Sequence, residues 1–286
     1  MDDAEVFVTS RPSFPQRVVG RIGRNLRRLG PIRSLRLRKL GRKELMERLL
    51  ELRQGLLSEF QFENRDLSHL DLNGLVAERL NFVGCRFRGT NLDGSNLHSV
   101  RFVDCECRGM TAIGASWTDL TLEGCDLTEA DLSSVTLTGS CPGVTLNGSL
   151  LTDARLDGVN LYAAVLTRAD LRAASLVGSV LEEADFSEAN LFNAICRGAR
   201  AVGAVFENAV CIGADFRDAD LTGASFADCQ ARVTDFRSAT LGGTDFRSAD
   251  LGESDFTAAA TDGATFEDAR TWSAKGLEFL GVDDER

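Results

Sequence analysis

Residues 184–193 read Ala184-Asp185-Phe186-Ser187-Glu188-Ala189-Asn190-Leu191-Phe192-Asn193. Two five-residue units stand side by side here, each with Ala first, Asp or Asn second and a large apolar residue third. The spacing continues in both directions. Upstream it runs from Leu67 through Leu72, Ala77, Phe82 and Phe87 to Leu137; after a one-residue deletion it resumes at Leu146 and reaches Phe266, with Cys141 expected to bridge the two registers. Of these 40 centres only Thr261 is neither apolar nor Cys, and two residues before each centre the residue is Ala in 18 of the 24 cases between Ala154 and Ala269.

A helix buries residues three and four apart and a strand every second residue, so a strict five fits neither. Five residues must be one side of a larger coil. The longer period shows in residue size: Phe186, Phe206, Phe226, Phe246 and Phe266 recur every 20 residues, as do Phe216, Phe236 and Phe256. Four sides therefore close one square coil, with large centres filling the interior and small residues fitting where the backbone passes close to the axis. Forty sides predict about ten coils, a rod of roughly 48 Å at an inter-strand spacing near 4.8 Å.

Four units in particular, Ala169-Asp170-Leu171-Arg172-Ala173, Ala184-Asp185-Phe186-Ser187-Glu188, Ala189-Asn190-Leu191-Phe192-Asn193 and Ala219-Asp220-Leu221-Thr222-Gly223, resemble the pentapeptide-repeat superfamily. The resemblance spans about residues 65–270 and implies an all-β, right-handed quadrilateral β-helix, in agreement with the period argument. It extends to the quinolone-resistance members of the superfamily, which implies a protein that binds DNA gyrase or topoisomerase IV by presenting an acidic, DNA-like surface, and a homodimer formed through the C-terminal end.

The chemistry on offer is sparse. There are two histidines, His69 and His98, and no Ser-His-Asp or Cys-His arrangement; the 43 carboxylates recur because the surface recurs. Gly242-Gly243 lacks the strand–loop–helix context of a phosphate loop. Among the eight cysteines, Cys85, Cys105, Cys125 and Cys229 fall at the small inward position and Cys107, Cys196 and Cys211 at the centre, which makes them core residues rather than metal ligands. The reading is a non-catalytic scaffold with no metal or cofactor, whose partner is another protein.

Charge divides the chain. Residues 1–62 hold 14 basic and 7 acidic side chains, whereas residues 181–270 hold 17 acidic and 7 basic, within an overall net charge of −11. Asp185, Asp215, Asp220, Asp235, Asp245, Asp250 and Asp255 directly precede their centres and are the candidate acidic face; the competing reading is that such Asp side chains bond their own turn backbone. Segment 1–62 is a basic arm followed by a capping helix. Between residues 11 and 43 there are 12 Arg or Lys and no acid, including Arg21, Arg24, Arg27, Arg28, Arg36, Arg38, Lys39, Arg42 and Lys43. Such an arm suits a peripheral contact with an anionic membrane, a nucleic-acid contact, a partner, or the acidic rod itself.

The spacing of Leu45, Leu49, Leu52 and Leu56 predicts a helix over Gly41–Phe60 covering the first coil. Residues 63–270 form the repeat, and residues 271–286 a cap or dimer contact through Trp272, Leu277, Phe279 and Leu280. No apolar run approaches the roughly 18–20 residues of a membrane span, and the acidic opening Met1-Asp2-Asp3-Ala4-Glu5 does not resemble a secretory signal. The location expected is the cytoplasm, peripheral to the membrane if the arm acts as an anchor.

Overall fold

Most five-residue sides are built around one tight turn. At Leu151-Thr152-Asp153-Ala154 the Ala154 N–H donates to the Leu151 carbonyl at 3.0 Å and Asp153 takes φ +57°, the hydrogen bond and left-handed third residue of a type II turn. The turn swings the chain through one corner. The small residue at Ala154 then lets the next side begin close to the axis. The computed structural model describes residues 6–8, 35–37 and 60–277, and from residue 60 onward five-residue sides repeat to the end of the described chain.

Four parallel ladders result. Face 1 runs from Asp66 through Arg86, Glu106, Asp126, Thr145, Val165, Asp185, Val205, Ser225 and Asp245 to Thr265. Face 2 runs from Asp71 to Arg270, face 3 ends at Lys275 and face 4 ends at Ala260. In the first coils faces 3 and 4 carry extended strands: β4 (Val76–Glu78), β6 (Asn96–His98) and the first half of β8 (Ser116–Glu123) on face 3, with β5 (Asn81–Val83), β7 (Arg101–Val103) and the second half of β8 on face 4. Strand β9 (Thr136–Ser140) pairs with β8. The expected β-helix is the fold, with all the described regular structure in strands and bridges.

The centres fill the interior as predicted. Phe186, Phe206, Phe226 and Phe246 are fully buried and stack with ring centroids 4.5–5.2 Å apart, while Phe216, Phe236 and Phe256 rise from the opposite face and meet them edge-on at 5.5–5.7 Å. Offset stacks and edge contacts are the arrangements that aromatic quadrupoles favour. Hydroxyls at the small position are satisfied locally: Thr90, Thr234 and Thr244 donate to the carbonyls of Leu67, Cys211 and Leu221 at 2.8–2.9 Å. Thr261, the one polar centre, sits in the last coil, where the core is only half-buried.

The register break falls earlier than expected. Trp117 still pairs with Leu137, twenty residues on, whereas Leu120 pairs with Gly139 and Thr121 with Ser140, nineteen on. The missing residue therefore lies within Leu137–Gly139. Cys141 is an ordinary buried centre of the downstream register and no bridge between registers. Thr138 Oγ accepts the Asp119 N–H at 3.1 Å, a contact that the coil above makes through the backbone, where Ser99 N–H donates to the Thr118 carbonyl. Gly139 takes φ +127°, and a Cβ there would lie 2.1 Å from the Leu120 carbonyl oxygen. All four ladders continue across the break.

At the N-terminal end the edge of face 4 is paired. Strand β3 (Phe60–Glu63) opens face 4, and β1 (Val6–Val8) lies antiparallel against it with Val6 opposite Phe62. Strand β2 (Leu35–Leu37), which includes Arg36 of the arm, pairs with β1 and forms the outer edge. The expected helix over Gly41–Phe60 and the rest of the basic arm lie outside the described residues, except that Phe60 is in a strand. At the other end Leu277 is buried in the core, because Gly276 occupies a centre position and brings the backbone so close to Phe256 that a Cβ would lie 2.6 Å away. Trp272 lies instead on the outside of face 2, across Gly252 and under the Arg232 guanidinium at 4.8 Å. Phe279 and Leu280 are outside the described residues.

Candidate interaction surface

Outward residues occupy three positions on each side: one before the centre and two after it. The seven aspartates singled out in the sequence all stand before a centre, and the structure distributes them around the rod. Asp185 and Asp245 are on face 1, Asp250 on face 2, Asp215, Asp235 and Asp255 on face 3, and Asp220 on face 4. Only Asp215, Asp235 and Asp255 form one vertical row, as their spacing of twenty requires.

All seven are half-buried, and each accepts the backbone N–H two residues on. Arg217, Arg237 and Arg247 donate that bond to Asp215, Asp235 and Asp245, Ser187 to Asp185, Thr222 to Asp220, Gly252 to Asp250 and Thr257 to Asp255, at 2.9–3.3 Å. This is the turn-capping role that short acidic side chains favour. Three also receive their arginine side-on. Arg247 Nε and Nη2 reach Asp245 at 2.9 and 2.6 Å, and that hydrogen bond holds the Asp245 carboxyl down at about 2. Arg237 grips Asp235 in the same way, and although burial opposes it the net effect lowers the Asp235 carboxyl. At Asp215 burial outweighs the arginines and the carboxyl moves up. On face 3 Arg197, Asp215, Arg217, Asp235 and Arg237 form one chain of ion pairs.

In the distal half the exposed carboxylates follow the centres instead. Glu188, Glu207, Asp228, Glu267 and Asp268 all stand out from face 1. Over residues 180–275 the outward positions of face 1 carry seven acids and one arginine, and those of the adjoining face 4 carry four acids and one arginine. Face 2 has two of each sign and face 3 four of each. The net charge of the distal half is thus concentrated along the edge between faces 4 and 1. Face 2 has the contrasting character, with Phe192 and Val233 exposed and Val210 and Ile212 half-exposed. The sequence carried the signal for this division in the offset within each unit, because the residue before a centre feeds the turn and those after it point away.

The cysteines are free and buried. Cys85, Cys105 and Cys125 form one column and donate to the carbonyls of Phe62, Phe82 and Phe102 at 3.3–3.4 Å, as the threonines do. Burial pushes the Cys141 and Cys196 thiols up to about 12. Among the described residues no cluster of three or more His, Cys, Asp or Glu is arranged to hold a metal ion.

Comparison with known proteins accords with this architecture. The sequence matches the pentapeptide repeat region over residues 57–132 and 203–275, and pentapeptide repeats over 142–182 and 169–208. No curated protein matches. Among solved structures, HetL, a pentapeptide repeat protein involved in heterocyst differentiation regulation from the cyanobacterium Nostoc sp. strain PCC 7120, is 25% identical with a TM-score of 0.50, covering 75% of this chain and 88% of its own. QnrB1, a plasmid-mediated fluoroquinolone resistance protein, is 19% identical with a TM-score of 0.30, covering 78% of this chain and 96% of its own. With forty fifth-position centres, four unbroken ladders and a family match over more than half its length, the chain belongs to the pentapeptide-repeat family.

Proposed function

We propose that this chain is a non-catalytic protein-binding rod whose working surface is the acidic edge shared by faces 4 and 1, and that its partner is a protein surface built for duplex DNA, with DNA gyrase or topoisomerase IV as the sharpest case. The observation that carries this reading is the segregation of charge, eleven acids against two arginines on two adjoining faces and none in excess on the other two. Glu188, Asp228 and Asp268 form one column on every second coil, about 9.6 Å apart. That is close to three phosphate steps of about 3.4 Å along one DNA strand. A rigid row of this kind meets a basic groove without the cost of ordering a flexible chain.

The test is binding of the full-length protein to purified gyrase and topoisomerase IV, with a supercoiling assay, across a salt series. Binding should weaken steeply with salt. It should be lost when Glu188, Glu207, Asp228 and Glu267 are changed together to Gln, and should survive Asp218→Asn on face 3. Equal binding by the quadruple variant, or no effect on either enzyme, refutes the proposal. The basic composition of residues 11–43 favours a second use of the same rod, delivery to an anionic membrane. Flotation with anionic liposomes separates the two, since removal of those residues should abolish flotation and leave topoisomerase binding intact.

A further inference from the structure

Face 2 carries an apolar patch that the acidic edge does not use. In the column one past the centre, Phe192, Ile212 and Arg232 follow one another on successive coils, with Val210 on the coil of Ile212 and Val233 on that of Arg232. Phe192 and Val233 are exposed, and Val210 and Ile212 are half-buried. Val233 is a strained choice. It is held at φ +57°, and among the described residues it is the only β-branched side chain in the left-handed turn position, filled elsewhere by Gly, Ala or a polar residue. Backbone strain kept under a side chain that lies mostly in solvent points to a contact that the single rod does not make.

The arrangement of charge about Ile212 indicates what covers the patch. The coil before it holds Asn190 and Phe192, and the one before that Asp170 and Arg172. The coil after it holds Gln230 and Arg232, and the next Asp250, Gly252 and Glu253. A second rod turned end for end about a two-fold axis through Ile212, face 2 on face 2, sets each residue against one of the same column. Val210 and Ile212 then meet their own copies, and Phe192 meets Arg232 of the second copy. Asn190 meets Gln230, and Arg172 lies over Gly252 beside Glu253. Every such contact is made twice, joining apolar to apolar, ring to guanidinium, amide to amide and cation to carboxylate. Asp170 faces Asp250, but Arg172 holds the first at 2.6 Å and the second accepts the Gly252 N–H at 3.3 Å. A parallel pair would instead set each coil on its own copy, including the acidic coils of Asp71, Asp93 and Asp131, which in the end-for-end pair project past the partner. We propose that face 2 around Ile212 is the interface of an antiparallel, side-by-side dimer of this chain. The seven coils from Leu150 to Arg270 overlap, about 34 Å of rod, so the interface is small and the dimer weak and concentration-dependent. Faces 4 and 1 stay uncovered on both copies, so the dimer does not depend on the proposed partner, and it differs from a dimer formed through the C-terminal end.

Sedimentation equilibrium of the full-length protein over a concentration series up to roughly 1 mM tests this. Wild type should pass from monomer to dimer as concentration rises. Ile212→Glu sets two carboxylates against each other at the axis and should raise the dissociation constant by more than about tenfold. Arg172→Glu and Glu253→Arg should each weaken association, and the two together should restore it, because the exchanged charges face one another only across this interface. Val233→Gly should weaken association while raising the stability of the monomer, a combination that a purely structural role does not give. The proposal fails if wild type stays monomeric throughout the series, or if its dimer ignores Ile212→Glu and so forms elsewhere on the rod. It fails equally if the double charge exchange leaves association as weak as the single changes do. Should Ile212→Glu not fold, the exchange of Arg172 and Glu253, both exposed, carries the test.

Discussion

Replacing Gly139 by Ala should destabilise the rod far more than the same change at a turn glycine such as Gly158, because Gly139 absorbs the missing residue. Its φ of +127° is outside the range that side-chain-bearing residues adopt, a strain of about 1–3 kcal/mol. The added Cβ would also lie 2.1 Å from the carbonyl oxygen of Leu120 and 2.5 Å from its nitrogen, and backbone atoms in a ladder cannot move aside without breaking rungs. Losing one or two rungs between β8 and β9 adds about 1 kcal/mol each, for a total of about 2–5 kcal/mol and a Tm lower by on the order of 10 °C. Gly158→Ala is the matched control. Its φ is +66°, nothing lies within 4 Å of the added atom, and Ala163 and Ala173 already occupy the equivalent turn position, so about 1 kcal/mol is expected. Inserting one residue between Thr138 and Gly139 restores the twenty-residue spacing, and in that background Gly139→Ala should cost no more than the control. Urea unfolding followed by far-ultraviolet circular dichroism measures all four variants against wild type. Equal losses at 139 and 158, or a full loss retained in the insertion background, would refute the account of the register break.

Phe226 lies between Phe206 and Phe246 at 4.5 and 5.2 Å and touches Phe216 and Phe236 edge-on. Phe226→Leu should therefore cost about 2 kcal/mol by calorimetry, and Phe226→Ala about 4 kcal/mol, whereas Phe266→Leu in the half-buried last coil should cost under about 1 kcal/mol. Val233 is a β-branched residue held at φ +57° with its side chain 53% exposed, so Val233→Gly should raise the urea midpoint by about 1 kcal/mol of stability. A lower midpoint would show that its contacts outweigh the strain. Asp245 is depressed to about 2 from 3.8 by the Arg247 hydrogen bond. A lowered native pKa means stability that is complete above about pH 4 and fades as pH falls toward 2. Asp245→Asn should accordingly cost about 1 kcal/mol at pH 7, after allowance for the exposure of the pair, and little at pH 2. An equal cost at both values would place the effect outside ionisation.

Much of the architecture was legible because a solenoid repeats one local decision. The centres from Leu67 to Phe256 that the five-residue spacing nominated are buried, and Phe186 and Phe206 stack at 5.0 Å as residues twenty apart should. Where the repeat is interrupted, local reading loses its footing. The deletion is visible in the spacing, but its position at Gly139 rather than Cys141 depended on which rungs survive in the neighbouring coil. Trp272 shows the same limit at the other end. Sequence alone groups Trp272 and Leu277 as one cap or dimer contact, yet the place of Trp272 after the centre of its unit puts it on the outer surface across Gly252, while Leu277 enters the core.

The sequence by itself determined the coil, since a large residue every fifth position and a small one two before it can be buried together only by a four-sided stack. It did not determine the surface. An aspartate before a centre and one after it look alike in a string of letters, but the turn draws the first, as at Asp235, onto the backbone and leaves the second, as at Asp228, in solvent. Which charges share a face follows from a modulus of twenty shifted once to nineteen, and so the acidic edge between faces 4 and 1 exists only in the assembled stack. Core positions are dictated by neighbours close in the chain, whereas the surface is made of neighbours a whole coil apart.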